Sequence, residues 1–251
     1  DNWYDDSNTL NTLAASYDNI RRNYSQENYI NDVPYAWLAY YVPNNSYKAQ
    51  DLIRKILMNM SEFPETLKII DLGTGVGPSV WAIADYFMIL HNLAKIFFVN
   101  MPFRKIEIHS MEPAKDNIEV FNKMLSYYAH DLNVDPDFIT IHPPIQDAVG
   151  SDSWHKHIEA ISPHIILFSN MLSELKGYDV KKESVQQCFN HKNADKCVIG
   201  IIEPSDKNRT QELRTLQQDI QTLNDIHIWY PCSPNELSEE CKLKCNSCWS
   251  T

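Results

Sequence analysis

Asp71, Gly73, Thr74, Gly75 and Gly77 fall in the run Ile69-Ile70-Asp71-Leu72-Gly73-Thr74-Gly75-Val76-Gly77-Pro78, where residue type and spacing best suit a small ligand. A β-branched stretch runs into an acid. Three of the chain's 6 glycines follow at alternate positions, and Ser79-Val80-Trp81 opens a helix. Strand, tight glycine loop and helix are the opening unit of nucleotide-binding α/β folds. Glycine lets the backbone turn sharply and lets a ligand approach it closely. The bland alternative is a glycine-rich turn that binds nothing.

Spacing separates two cofactors. A dinucleotide loop reads G-x-G-x-x-G and faces a pyrophosphate with a helix N-terminus. Here the loop reads D-x-G-x-G-x-G. An acid followed by alternating glycines is the pattern of S-adenosylmethionine (SAM) methyltransferases. Their cofactor has no phosphate and needs polar partners for its amino-acid end. The rule that ligands bind beyond the carboxyl ends of the strands selects further residues. Glu112 ends the second expected strand and can accept ribose hydroxyls, or it can serve as a helix N-terminal acid. Gln146 and Asp147 follow the third, at the adenine end. Asn170 follows the fourth, where the reacting methyl would point, or it is only a turn former. No catalytic residue emerges. Ser169-Asn170-Met171-Leu172 stands where amino-group methyltransferases carry Asn-Pro-Pro-Tyr, and Cys197 begins a strand at the end away from the pocket.

A second constellation is Cys232, Cys241, Cys245 and Cys248, four of the 6 cysteines, close together near the C-terminus. Four neighbouring thiolates suit Zn²⁺ or an iron–sulfur cluster, with free thiols or disulfides as the alternative. Cys188 and Cys197 read as ordinary buried residues.

The elements that must position these residues alternate. A helical cap covers residues 1–63, with a breaker cluster at Val42-Pro43-Asn44-Asn45 and a new helix capped by Ser46. Strands are expected at Leu67 to Leu72, Arg104 to Met111, Phe138 to His142, Ile165 to Phe168, Cys197 to Ile202 and Ile226 to Tyr230. Helices are expected at Ser79 to Leu93, Asp116 to His130 and Arg209 to Leu223. This alternation predicts an α/β fold, a doubly wound, mainly parallel Rossmann-like sheet of the SAM-methyltransferase kind over 64–230. A Cys-rich metal-binding segment, 231–251, follows. The seventh, antiparallel strand usual in that fold is not found.

The chain has 251 residues and a net charge of −11, which gives no general electrostatic grip on nucleic acid. Lys181-Lys182 and the pair Lys242 and Lys244 read as solvated faces. No apolar run is expected to span a membrane, so no membrane partner is expected. The first residue is Asp1 and no signal peptide is visible, so a processed or trimmed form of a longer product is expected.

Several segments together carry a family resemblance: Ala36-Trp37-Leu38-Ala39-Tyr40-Tyr41-Val42-Pro43, the Asp71 to Trp81 loop, Asn170-Met171-Leu172-Ser173-Glu174-Leu175, Ile201-Ile202-Glu203-Pro204, and Tyr230-Pro231-Cys232 followed by Cys241 and Cys248-Trp249. In this order they resemble the methyltransferase-like proteins associated with the mitochondrial small ribosomal subunit (methyltransferase-like protein seventeen and its yeast and bacterial relatives), over roughly residues 30 to 250. The resemblance implies a SAM-type fold with a [4Fe–4S] cluster. It also implies a role in small-subunit assembly or mitochondrial translation, with the small subunit and its rRNA as partners. The location implied is the mitochondrial matrix, or a bacterial cytoplasm. By motif matching, Cys232, Cys241 and Cys248 would be cluster ligands and Cys245 a fourth. The chain departs from its relatives at Tyr41, Val42, Ser205 and Asn235. Two other functions remain open: an active SAM-dependent methyltransferase on a protein or small molecule with a structural zinc, and a non-catalytic ribosome-binding protein.

Overall fold

The computed structural model describes residues 15, 34–131, 135–189, 197–203 and 207–221. In chain order the elements are α1 (Pro34–Asn59), β1 (Thr66–Leu72), α2 (Pro78–Phe97), β2 (Lys105–Met111), α3 (Lys115–Asp131), β3 (Ile139–Ile141), α4 (Trp154–Ile161) and β4 (Ile165–Ser169). A 3-10 turn (Leu172–Glu174), α5 (Tyr178–Gln187), β5 (Val198–Ile202) and α6 (Lys207–Gln221) complete them. The expected strand at Ile226 to Tyr230 and the Cys-rich segment lie outside the described residues.

The five described strands form one sheet, ordered β3-β2-β1-β4-β5, and each of their pairings is parallel. Strand side chains alternate between faces, so each face carries its own core. Leu67, Ile69, Ile106, Ile108, Ile165 and Leu167 face one cluster, filled by Ile53 of α1, Val80, Ile83 and Phe87 of α2 and Phe121 of α3. Ile70, Leu72, Met111, Ile166 and Phe168 face the other, filled by Trp154 and Ile158 of α4, Val185 of α5 and Leu216 of α6. Parallel strands with helices on both faces make this a doubly wound Rossmann-like sheet. The order reverses beside β1, between β1 and β4, and crevices of such sheets open at that switch point.

Four expectations need correction. The Val42-Pro43-Asn44-Asn45 cluster does not break the first helix, because α1 runs through Pro43. Ser46 caps nothing; its hydroxyl donates back to the Val42 carbonyl, the bond of a residue inside a helix. Burial of Ala49, Ile53 and Ile56 holds α1 against the sheet despite the proline. Second, α2 is by length and composition apolar enough to cross a membrane. Its first half is core, with Ser79 to Ala84 and Phe87 buried. Its far end leaves Ile89, Ile96, Phe97 and Phe98 exposed. Third, Lys181 and Lys182 are not a solvated face. Lys181 is buried and meets Glu212 of α6 at 2.7 Å, and Lys182 meets Asp219 at 2.9 Å. Fourth, two helices that the sequence pattern did not announce, α4 and α5, cover the second face.

Cys188 is buried and Cys197 half-buried, and both are free thiols. Burial pushes the Cys197 thiol up to about 12 and Cys188 well above its usual range, so neither is a nucleophile at neutral pH. At the sheet edge His142 stacks on His109. Burial, then His142, pushes His109 down to about 4, and burial lowers His142 as well. Both rings are therefore neutral at pH 7.

Candidate cofactor-binding site

The loop after β1 stands at the switch point. Gly73 and Thr74 both donate their backbone N–H to the Met111 carbonyl of β2, at 2.9 and 3.0 Å, and Gly77 donates to the Thr74 carbonyl at 2.9 Å. All three loop glycines have positive φ, a region L side chains avoid. Their surroundings differ. Among the described residues, a Cβ at Gly75 would meet nothing within 4 Å, whereas one at Gly77 would strike Trp81 and Phe121. Gly75 therefore borders open space, and Gly77 is sealed into the α2–α3 contact.

Asp71 lies beneath this loop and is 1% exposed. Oδ2 accepts the Thr74 hydroxyl at 2.7 Å. Oδ1 is buried with no hydrogen-bond partner among the described residues. Burial pushes this carboxyl up to about 7; the Thr74 bond opposes the rise and the nearby Glu112 charge adds to it. A buried carboxylate oxygen without a donor is expensive, so Asp71 is suited to a cationic or N–H donor supplied from outside the chain.

Glu112 ties β2 to both the loop and α3. Oε2 accepts the Gly75 N–H at 2.8 Å. Oε1 accepts the Ala114 N–H and the Asn117 side-chain amide, both at 3.0 Å. It thus serves the helix N-terminal role left open by the sequence. A carboxylate has about four acceptor sites, so three bonds leave room for one hydroxyl.

Gln146 and Asp147 leave the sheet beside Glu112, whose N–H donates to the Ile145 carbonyl at 3.0 Å. Gln146 is exposed. The Asp147 carboxylate is committed to its own loop. It accepts from Ala148 N and from the hydroxyls of Ser151 and Ser153, and lies 3.2 Å from His157 Nε2. Burial opposes ionisation there, but these partners outweigh it and hold the carboxyl below its usual value. Asn170 sits at φ 57 and donates its N–H to the Ile202 carbonyl of β5. That is the turn-forming role, placed at the end of β4. Cys232, Cys241, Cys245 and Cys248 lie outside the described residues.

Three supports escaped the sequence pattern. Ser79 of α2 donates its hydroxyl to Ser169 of β4 at 2.8 Å, across the switch point. Met171 packs on Gly73 so closely that a Cβ there would overlap its Cγ. Glu203, at the end of β5, accepts the N–H of Leu172 at 2.6 Å and of Ser173 at 3.3 Å. The strand-end rule that selected Asp71 and Glu112 would have selected Glu203 too. Glu203→Ala strips the acceptor from two N–H groups, one of them buried. We expect a loss of about 1–3 kcal/mol, read as a lower urea midpoint. An unchanged midpoint would show that these two bonds contribute nothing.

No protein-family model matches the chain, and no curated protein matches it. Solved structures do. One is the plantazolicin methyltransferase BpumL in complex with SAH, at 14% identity over 99% of this chain and 85% of that one, with a TM-score of 0.45. A candidate S-adenosyl-L-methionine-dependent methyltransferase from Methanococcus maripaludis is 14% identical over 82% of this chain and 80% of that one, with a TM-score of 0.39. A candidate class I S-adenosylmethionine-dependent methyltransferase from Listeria monocytogenes is 8% identical over 70% and 50%, with a TM-score of 0.38.

Proposed function

We propose that this chain is a SAM-binding, methyltransferase-like factor of small ribosomal subunit assembly. The observation that carries the cofactor is Asp71 Oδ1, which has no partner among the described residues, under a left-handed glycine loop where a Cβ at Gly75 meets none of them. SAM carries an ammonium that answers a buried carboxylate, and its ribose hydroxyls answer Glu112. The residues present fit it.

Bound SAM supplies an electrophilic methyl group on a sulfonium. In this reading Asp71 holds the ammonium, and Gly73, Thr74, Gly75 and Gly77 shape the backbone around it. Glu112 takes a ribose hydroxyl at its remaining acceptor site. Gln146 lies at the adenine end, on the loop that Asp147 fixes. Asn170 stands at the reacting end. Methyl transfer needs chiefly alignment of the two partners, and an activity of this kind, on rRNA, is part of the proposal.

The ribosomal role, the mitochondrial matrix setting and the four-cysteine site rest on the sequence resemblance. Cys232, Cys241, Cys245 and Cys248 are proposed ligands of a [4Fe–4S] cluster, with Zn²⁺ as the alternative for the same donor set.

Calorimetric titration of the full chain with SAM tests the cofactor. We expect saturable binding and a raised melting temperature. No heat and no thermal shift would overturn it. Co-sedimentation with small ribosomal subunits tests the partner, and visible absorbance with metal analysis of anaerobically purified protein separates cluster from zinc.

A further inference from the structure

Two imidazoles and a carboxylate meet on the sheet away from the glycine loop. Glu107 and His109 are two residues apart on β2 and so share a face. Ile108 pairs with Ile141 of β3, and His142 N donates to the Ile108 carbonyl at 2.9 Å. His142, one residue past β3, therefore stands beside His109. The rings stack with centroids 4.1 Å apart and planes 7° from parallel. His109 Nε2 lies 3.9 Å from Glu107 Oε2, beyond hydrogen-bond reach. Both histidine Nε2 atoms are buried, and neither has a hydrogen-bond partner among the described residues. One ligand atom from each of the three residues lies within 4.8 Å of the others.

We propose that Glu107, His109 and His142 form a binding site for a borderline divalent transition-metal ion of the Zn²⁺ class. Two imidazoles and one carboxylate are a donor set suited to zinc, copper or nickel rather than to Mg²⁺ or Ca²⁺. Each imidazole can direct a lone pair through Nε2, and one ion answers both partnerless nitrogens. Zn–N bonds of about 2.0–2.1 Å set tetrahedral donors about 3.3 Å apart. The three donors, within 4.8 Å of one another, must therefore close by up to about 1.5 Å and the rings must splay. His142 lies just past a three-residue strand at the sheet edge, where such rotation disturbs least. Two cations face the same carboxylate. Lys105 Nζ donates to Glu107 Oε1 at 3.0 Å, which leaves Oε2 for the ion. Lys68 is the β1 partner of Glu107, and its Nζ reaches the Ile161 carbonyl at 3.3 Å. These charges hold the affinity to a moderate level. Three protein ligands leave a fourth position for water, and the ion would clip β2 to the edge strand from which the Gln146 loop departs.

The test uses the full chain with Cys232, Cys241, Cys245 and Cys248 replaced by serine, so that thiolates cannot compete. Calorimetry with Zn²⁺ alone is expected to show one ion per chain and a zinc-dependent rise in melting temperature. His142→Ala and, separately, His109→Gln should each weaken binding at least about tenfold. His142→Phe keeps a ring in the stack and should lose binding while melting normally without zinc. Should the serine variant not fold, Co²⁺ absorbance of the wild-type chain replaces it. Nitrogen–oxygen ligation then shows as ligand-field bands that His142→Phe removes, without loss of the thiolate charge-transfer bands. No binding below millimolar zinc, or equal binding by the histidine variants, overturns the site.

Discussion

Gly77→Ala is expected to lower the unfolding free energy by about 2–5 kcal/mol, while its neighbour Gly75→Ala costs about 1–2 kcal/mol. Both positions have positive φ, 89° and 57°, which costs an L side chain about 1–2 kcal/mol. The difference lies in space. A Cβ at residue 77 would stand 2.7 Å from Trp81 Nε1 and 2.7 Å from the Phe121 ring. Neither ring can retreat. Trp81 Nε1 donates to the Val76 carbonyl at 2.9 Å, and its ring packs on Phe121 and Tyr128. Overpacking of this kind adds about 1–3 kcal/mol. At residue 75 the new methyl enters open space. Urea unfolding with an unchanged slope measures both, and equal midpoints for the two variants would refute the sealed-loop account.

Asp71→Asn is expected to weaken SAM binding by about 10- to 100-fold, since a hydrogen bond to a charged partner contributes about 1.5–3 kcal/mol. The same change abolishes a pH dependence. In the folded chain Asp71 titrates near 7, against 3.8 for the ordinary carboxyl. Only the ionised form attracts an ammonium. Wild-type affinity should therefore rise about tenfold per pH unit up to about 7 and level off above it, whereas the asparagine variant should stay flat. Stability moves the other way. A folded pKa raised above the unfolded one means that the folded chain binds the extra proton between pH 3.8 and about 7. This contribution is fully present below 3.8 and is lost as pH rises through 7. The asparagine variant escapes the loss, which reaches as much as about 4 kcal/mol at full ionisation. It should melt at a higher temperature than wild type at pH 8 and not at pH 4. A variant that binds SAM as tightly as wild type at every pH would remove Asp71 from the site.

The strands were legible because each is a short stretch carrying isoleucine, continuous or alternating with polar residues, between turns, and all five described ones fall within a residue or two of their expected limits. The glycine loop was legible for the same local reason. The second helical face was not. In α4 only Trp154 and Ile158 are buried, a single helical repeat. In α5 the buried set is Lys181, Ser184 and Val185, and a buried lysine reads as surface until its partner on α6 is known. Glu112 was placed at its strand end by rule, but its grip on Gly75 and Asn117 depends on how β2, the loop and α3 meet in space. The Glu107–His109–His142 trio was invisible for a related reason. His109 and His142 are far apart in sequence, and only the register of β2 on β3 makes them neighbours.

The central place of β1 bears on how the chain acquires its fold. Its pairing with β2 joins residues 39 apart, as between Thr66 and Lys105, whereas its pairing with β4 joins Ile69 to Ile165, 96 apart. Loop closure grows costlier with separation, and non-local parallel pairing is slow. The β1–α2–β2–α3–β3 half can therefore collapse first, on local contacts. The glycine loop belongs to that early half, yet Met171, Ser169 and the Ile202 carbonyl that brace its surroundings belong to the late one. A chain emerging during synthesis thus carries the loop long before its braces, and SAM binding would mark the moment at which the two halves have joined.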